Sequence, residues 1–92
     1  VRHAAYRVEF VKSAKKEFDR LPARIQDTAI EALQLLCANP FSDLLKVRKL
    51  KGPADLYRIR LGDYRIVYEI EQNVLLILVI KIGHRKDIYR NF

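Results

Sequence analysis

The stretch "YRIRLGDYRIVY", Tyr57–Tyr68, reads as two strands joined at Gly62-Asp63, a Gly-X pair that suits a tight hairpin loop. Joined there, the strands set Leu61 opposite Tyr64 and Arg60 opposite Arg65. Because side chains alternate along a strand, Tyr57, Ile59, Leu61, Tyr64, Ile66 and Tyr68 fall on one face, and Arg58, Arg60, Arg65, Val67 and Glu69 on the other. The first face reads as core. The second sets two like charges directly opposite each other, which costs a few tenths of a kcal/mol, roughly the size of other cross-strand pair energies. Such a face either serves a function or is an ordinary solvated surface shared with Glu69.

Outward from the hairpin, "AYRVEF", Ala5–Phe10, alternates as a first strand. Ser13 is a candidate N-cap for a short helix to about Arg20, with Ala14, Phe18 and Leu21 on one face and Lys12, Lys15, Lys16 and Arg20 on the other. Pro22 ends that helix and opens the next, which runs to about Cys37 with a stripe of Ile25, Ala29, Leu33 and Leu36. "ANPF" closes this helical hairpin, and a basic connector, "LLKVRKLKGPAD", Leu44–Asp55, leads back to the opening stretch. After a turn near Gln72-Asn73, "VLLILVIKI" forms a last strand. It is apolar on both faces, which points to an interior position and leaves its register, and the face of Arg85, open. The order β-α-α-β-β-β gives an α+β class, a helical hairpin packed on an antiparallel-type sheet of about four strands.

All of this fits one domain, residues 1–92. The chain has 18 Lys+Arg against 11 Asp+Glu, a net charge of +7, which favours a polyanionic partner, nucleic acid first. The apolar run Val74–Ile80 is too short to span a membrane and no charged-then-apolar leader opens the chain, so a soluble cytoplasmic protein is expected. Cys37, the single cysteine, has no internal disulfide partner and reads as a small buried residue of a reducing compartment. His3 and His84 lack the spacing of a metal site, and no P-loop or GxGxxG is present. No metal and no cofactor are expected.

Chain topology gathers Arg58, Arg60 and Arg65 with Lys49 and Lys51 just upstream and His84, Arg85 and Tyr89 just after the last strand. Guanidinium forks suit phosphodiesters, and Tyr89 suits stacking on a base. Metal-free RNA cleavage needs an activated 2′-hydroxyl, stabilisation of the charge on the phosphorane, and a proton for the leaving oxygen. Arginines serve the second task. Guanidinium stays protonated, so proton exchange falls to Tyr89, His84 or a Lys51 of lowered pKa. Plainer readings stand beside these: a basic loop for Lys49 and Lys51, a packing aromatic for Tyr89, and a structural or solvent-facing His84.

The blocks "AKKEFDRL", "KLKG", "LYRIRLGDYRIVYEI" and "LVIKIGHRKDIY", in this order and spacing, resemble the RelE-type toxins of the RelE/ParE superfamily over nearly the whole chain. The resemblance implies a compact RelE-like fold and a ribonuclease that enters the ribosomal A site and cleaves the bound mRNA. It also implies a cognate antitoxin that wraps the toxin and usually binds operator DNA. Carried over position by position, it implies catalytic roles for Arg58, Arg65, Arg85 and Tyr89, with Arg60 also on an active-site position and Lys51 on a basic position beside the cleft. Lys49, Lys51, Arg60 and His84 are assigned to RNA binding. Members of the family can carry lysine where this chain has Arg58 and Arg60, which leaves the proton acceptor open between several residues, His84 among them. Two rival functions remain: a ParE-type poison of DNA gyrase on the same fold, and a non-catalytic RNA-binding module.

Overall fold

The computed structural model describes residues 5–52 and 55–88. Strand β1 (Arg7–Phe10) runs into helix α1 (Lys12–Asp19), and α2 (Ala23–Ala38) follows directly. The apolar spacing works as expected: α1 buries Ala14, and α2 buries Ala29, Ala32, Leu33 and Leu36. Ser13 is not the cap of α1. That position belongs to Val11, in an extended conformation with no side-chain hydrogen bond, and the helix begins at Lys12. Pro22 takes the corresponding position before α2, where its missing N–H costs nothing.

Beyond α2 the basic connector holds more structure than its composition promised. A short 3-10 turn at Asp43–Leu45 is capped by Ser42, whose Oγ accepts the Leu44 N–H at 3.2 Å. A two-residue strand β2 (Arg48–Lys49) then pairs antiparallel with β3 (Leu56–Leu61). Strands β3 and β4 (Tyr64–Glu71) form the anticipated hairpin, with Arg60 opposite Arg65 and Leu61 opposite Tyr64. Gly62 sits at φ +63, a conformation that its lack of Cβ makes inexpensive.

Strand β5 (Leu76–His84) lies inside the sheet, whose order is β1-β5-β4-β3-β2. Among the described residues the sheet is mixed, with five strands rather than about four. The connector supplies the extra edge strand, and β1 joins β5 in parallel, a geometry that a long crossover connection permits. The register of β5, open from sequence, is set by a bulge: Val67 pairs with Lys81 but Tyr68 with Val79, so Ile80 is the extra residue. The bulge keeps Ile77, Val79 and Ile82 all on the helix side, which strict alternation forbids. Beyond Phe10, where β1 no longer covers β5, the Glu17 carboxylate of α1 accepts the Ile82 N–H at 3.0 Å and lies 3.4 Å from Lys81 Nζ. A helix side chain thus completes the strand's hydrogen bonding.

Between helices and sheet, Leu36, Ile59, Ile66, Tyr68 and Ile77 are fully buried. Burying such side chains contributes roughly 1.5–3 kcal/mol each. Tyr57 and Tyr68 stack at 6.1 Å, and the Tyr68 hydroxyl donates to the Pro40 carbonyl at 3.2 Å, fastening the connector to the core. Burial, with Tyr57 nearby, pushes that hydroxyl's pKa well up, so it remains a donor. All three hairpin tyrosines face the helices, as alternation predicted.

Candidate functional site

The opposite face of the sheet carries the arginines. Arg60 and Arg65 are direct partners, Arg58 faces Val67, and Arg48, on β2, faces Arg58. Gly83 lies beside Arg65 on β5.

The tight turn at Gly62-Asp63 organises one end of this row. Arg65 Nη1 donates to the carbonyls of Gly62 at 2.8 Å and Tyr64 at 2.9 Å. The Arg85 backbone N–H donates to Asp63 O at 2.7 Å, and its Nε lies 3.5 Å from Asp63 Oδ1. A single loop therefore sets the positions of two arginines that are far apart in sequence. Surface ion pairs of this kind are worth only about 0–1 kcal/mol. Here the pair's effect is to aim a guanidinium.

The chain after β5 turns back through His84, whose carbonyl accepts from the N–H groups of Asp87 and Ile88, both at 2.9 Å. Its Nδ1 accepts the Lys86 N–H at 3.1 Å. Ile88 is thereby folded onto the arginine side: it is buried outside the main core cluster, and a Cβ at Gly83 would meet its Cδ1 at 3.8 Å. Val67 is likewise buried outside that cluster, so the arginine face has a small apolar floor of its own.

At the other end of the row, Arg58 is only 9% exposed, and its Nε–H is buried with no hydrogen-bond partner among the described residues. Such a donor costs about 1–3 kcal/mol. It borders a cleft of about 460 Å³ between the connector and β3, which Arg48 and Arg60 also line. Farther along the same strands the charge reverses. The Glu69 carboxyl is held above its ordinary pKa by a hydrogen bond with the Glu71 side chain, then by burial and by the charges of Glu71 and Asp55.

The structure thus brings Arg58, Arg60, Arg65 and Arg85 together around one face and one turn. His84 is not among them: alternation sets it beside Tyr64, whose ring it meets edge-on at 5.4 Å, on the side away from Arg65. Lys49 pairs with Tyr57, not with an arginine, and lies 3.3 Å from Asp55. Lys51 is exposed in the bend after β2. Tyr89 lies outside the described residues. Arg48 is the residue that sequence reasoning passed over. The sign of it was Gly52-Pro53, a turn-forming pair between "VRKLK" and "ADLYRIR", which marks a hairpin and puts Arg48 in phase with Arg58.

No group of His, Cys, Asp and Glu among the described residues could hold a metal ion, and no helix among them is long and apolar enough to cross a membrane. What the arrangement offers chemically is several fixed guanidinium groups on a rigid sheet, suited to a phosphodiester and to the charge that develops on it.

Residues 8–89 match the family model described as ParE toxin of type II toxin–antitoxin systems, parDE. Toxin RelE3 of Methanocaldococcus jannaschii is 34% identical over 90 residues, 94% of this chain and 98% of that protein. The mRNA interferase toxin RelE of Escherichia coli K12 is 29% identical over 84 residues, 89% of this chain and 85% of that protein. Among solved structures, the archaeal RelE–RelB complex from Pyrococcus horikoshii contains a chain that superposes with a TM-score of 0.78 at 32% identity. The match covers 90% of this chain and 98% of that one.

Proposed function

The chain belongs to the RelE/ParE family of toxins of type II toxin–antitoxin systems, and from that premise we propose that it is a ribosome-dependent mRNA endoribonuclease. It cleaves A-site mRNA without a metal, by attack of the 2′-hydroxyl on the adjacent phosphodiester. The observation that carries this reading is the turn at Gly62-Asp63, which holds both Arg65, the direct partner of Arg60, and Arg85 at one end of the arginine row. Arg65 and Arg85 stabilise the phosphorane, where two extra hydrogen-bond donors count most. Arg58 and Arg60 hold the strand. Proton transfer falls to Tyr89, since arginine keeps its proton and His84 is turned to the far side with one ring nitrogen already engaged. Lys49 and Lys51 contribute to long-range attraction of RNA rather than to contact with the reacting phosphate. A cognate antitoxin is the natural protein partner, as relatives solved as RelE–RelB complexes support; operator DNA is a partner of that pair, and the cytoplasm its setting.

The test is to incubate the protein, and an Arg85→Ala control, with ribosomes programmed with end-labelled mRNA, mapping cuts against the same mRNA without ribosomes. Cuts at the A site that require the ribosome and vanish in the control are the expected result. Folded protein that leaves mRNA intact overturns the reading.

A second reading follows from the matched family model, which is named for ParE. In it the chain poisons DNA gyrase and the arginine row is a docking surface. Inhibition of supercoiling by protein that does not cut mRNA identifies this case.

A further inference from the structure

The connector and β3 flank an open cleft whose connector side, Leu44 to Arg48, has no part in the cleavage reading. Its volume, about 460 Å³, lies in the range of sites that hold small ligands, roughly 300–1,000 Å³. Its lining combines the cations Lys46, Arg48, Arg58 and Arg60 with the apolar side chains of Leu44 and Val47, and none of the described residues lining it is acidic. Elsewhere basic side chains find acids: Lys15 with Asp19, Lys49 with Asp55, Arg85 with Asp63.

Two features mark this cleft as a built site. Arg58 is more than nine-tenths buried and its Nε–H has no acceptor among the described residues. Arg48 is its direct partner across β2 and β3, so two guanidinium-bearing residues are set opposite each other with no counter-charge among the described residues that line the cleft. A phosphate in the cleft supplies the missing negative charge. At the mouth, Leu44 is 82% exposed, an apolar surface beside the cations. The wall is fixed in advance: Ser42 Oγ accepts the Leu44 N–H, and the Tyr68 hydroxyl holds Pro40.

We propose that this cleft is a nucleotide subsite for the RNA strand, in which Arg48 and Arg58 receive a phosphate and Leu44 and Val47 the apolar face of the attached base. The inference rests on the ribonuclease reading and extends it. Arg60 stands two residues along β3 from Arg58, roughly 6.6–7 Å away, and directly opposite Arg65. The strand therefore runs from the cleft to the turn, and the subsite holds a nucleotide next to the phosphodiester that is cut. Recognition of a base beside the scissile bond makes Leu44 and Arg48 determinants of sequence preference.

The experiment uses the free protein, labelled so that arginine Nε–H groups and leucine methyls are visible by NMR. It is titrated at constant ionic strength with inorganic phosphate, ribose 5-phosphate and adenosine 5′-monophosphate. All three are expected to shift the Arg58 Nε–H, and only the nucleotide the Leu44 methyls. Arg48→Gln weakens phosphate binding about tenfold, the loss of one charge-assisted hydrogen bond, and Leu44→Ser removes the nucleotide's advantage over ribose 5-phosphate. Shifts confined to exposed arginines away from the cleft, such as Arg7, Arg20 and Arg24, or a nucleotide that binds no better than ribose 5-phosphate, overturn the subsite. None of these readouts needs cleavage. A protein that fails to cut mRNA but binds the nucleotide here removes the ribonuclease reading alone, while one that cuts without binding removes the subsite alone.

Discussion

Arg65 and Ile66 are neighbours on β4, yet they belong to two differently built regions. Ile66 is fully buried under the helices, held by packing from every side. Arg65 points the other way, its guanidinium steered by two carbonyls of its own hairpin. The helix side of the sheet derives its stability from apolar area removed from water, so its residues are interchangeable within limits of volume and shape. The arginine side gains little stability from its like-charged neighbours and holds Arg65 by hydrogen bonds to backbone carbonyls. The two faces share one backbone and separate two tasks: one makes the fold, the other aims charge.

That separation can be broken first on the packed side. Ile66→Ala should lower the free energy of unfolding by about 2–5 kcal/mol, because it leaves a cavity that rigid neighbours fill poorly; urea denaturation measures it. A cost below that of an ordinary surface substitution would mean that the helix side is not the stabilising face.

A smaller effect tests where the faces meet. Gly62→Ala forces a side chain into φ +63 and should cost about 1–2 kcal/mol of stability. Because Arg65 and Arg85 both take their bearings from this loop, mRNA cleavage should fall by more than the stability loss accounts for at temperatures where the variant is fully folded. Cleavage unchanged in folded Gly62→Ala would detach the turn from the site.

The smallest effect lies at the acidic end of the outer face. Glu69 has its pKa raised in the folded state, first by its hydrogen bond with Glu71 and then by burial. The folded protein therefore keeps this proton to higher pH than the unfolded chain does. Its contribution is complete below the unfolded pKa and is lost as pH rises through the folded value. Glu69→Gln should flatten that decline in a series of denaturation curves on either side of the ordinary glutamate range. An unaltered slope would show that Glu69 does not carry it.

The sequence made the packed face legible because alternation and helical spacing report burial directly: Ile59, Ile66 and Tyr68 point inward as the hairpin register requires. The same register put Arg58, Arg60 and Arg65 on one face. What it left open had physical causes. An apolar strand such as β5 carries no alternation to read, and the bulge at Ile80 sets its phase so that Ile77, Val79 and Ile82 all reach the core. His84 was placed with the arginines by proximity in the chain, but a strand sends consecutive residues to opposite faces, and Gly83 occupies the arginine side. Arg48 was hidden because a two-residue strand is too short to show a period. Ser13 had the chemistry of a cap, but the helix starts a residue before it, at Lys12.

The central claim is that the arginine face acts without holding the fold together. The direct measurement is Arg65→Ala, assayed side by side for thermal unfolding and for cleavage of ribosome-bound mRNA. The claim predicts unfolding within about 1 kcal/mol of the parent protein, as for a surface substitution, and cleavage reduced about 10²–10³-fold, the scale of losing one donor to a developing oxyanion. A variant that unfolds, or one that folds and still cuts at the parent rate, contradicts it.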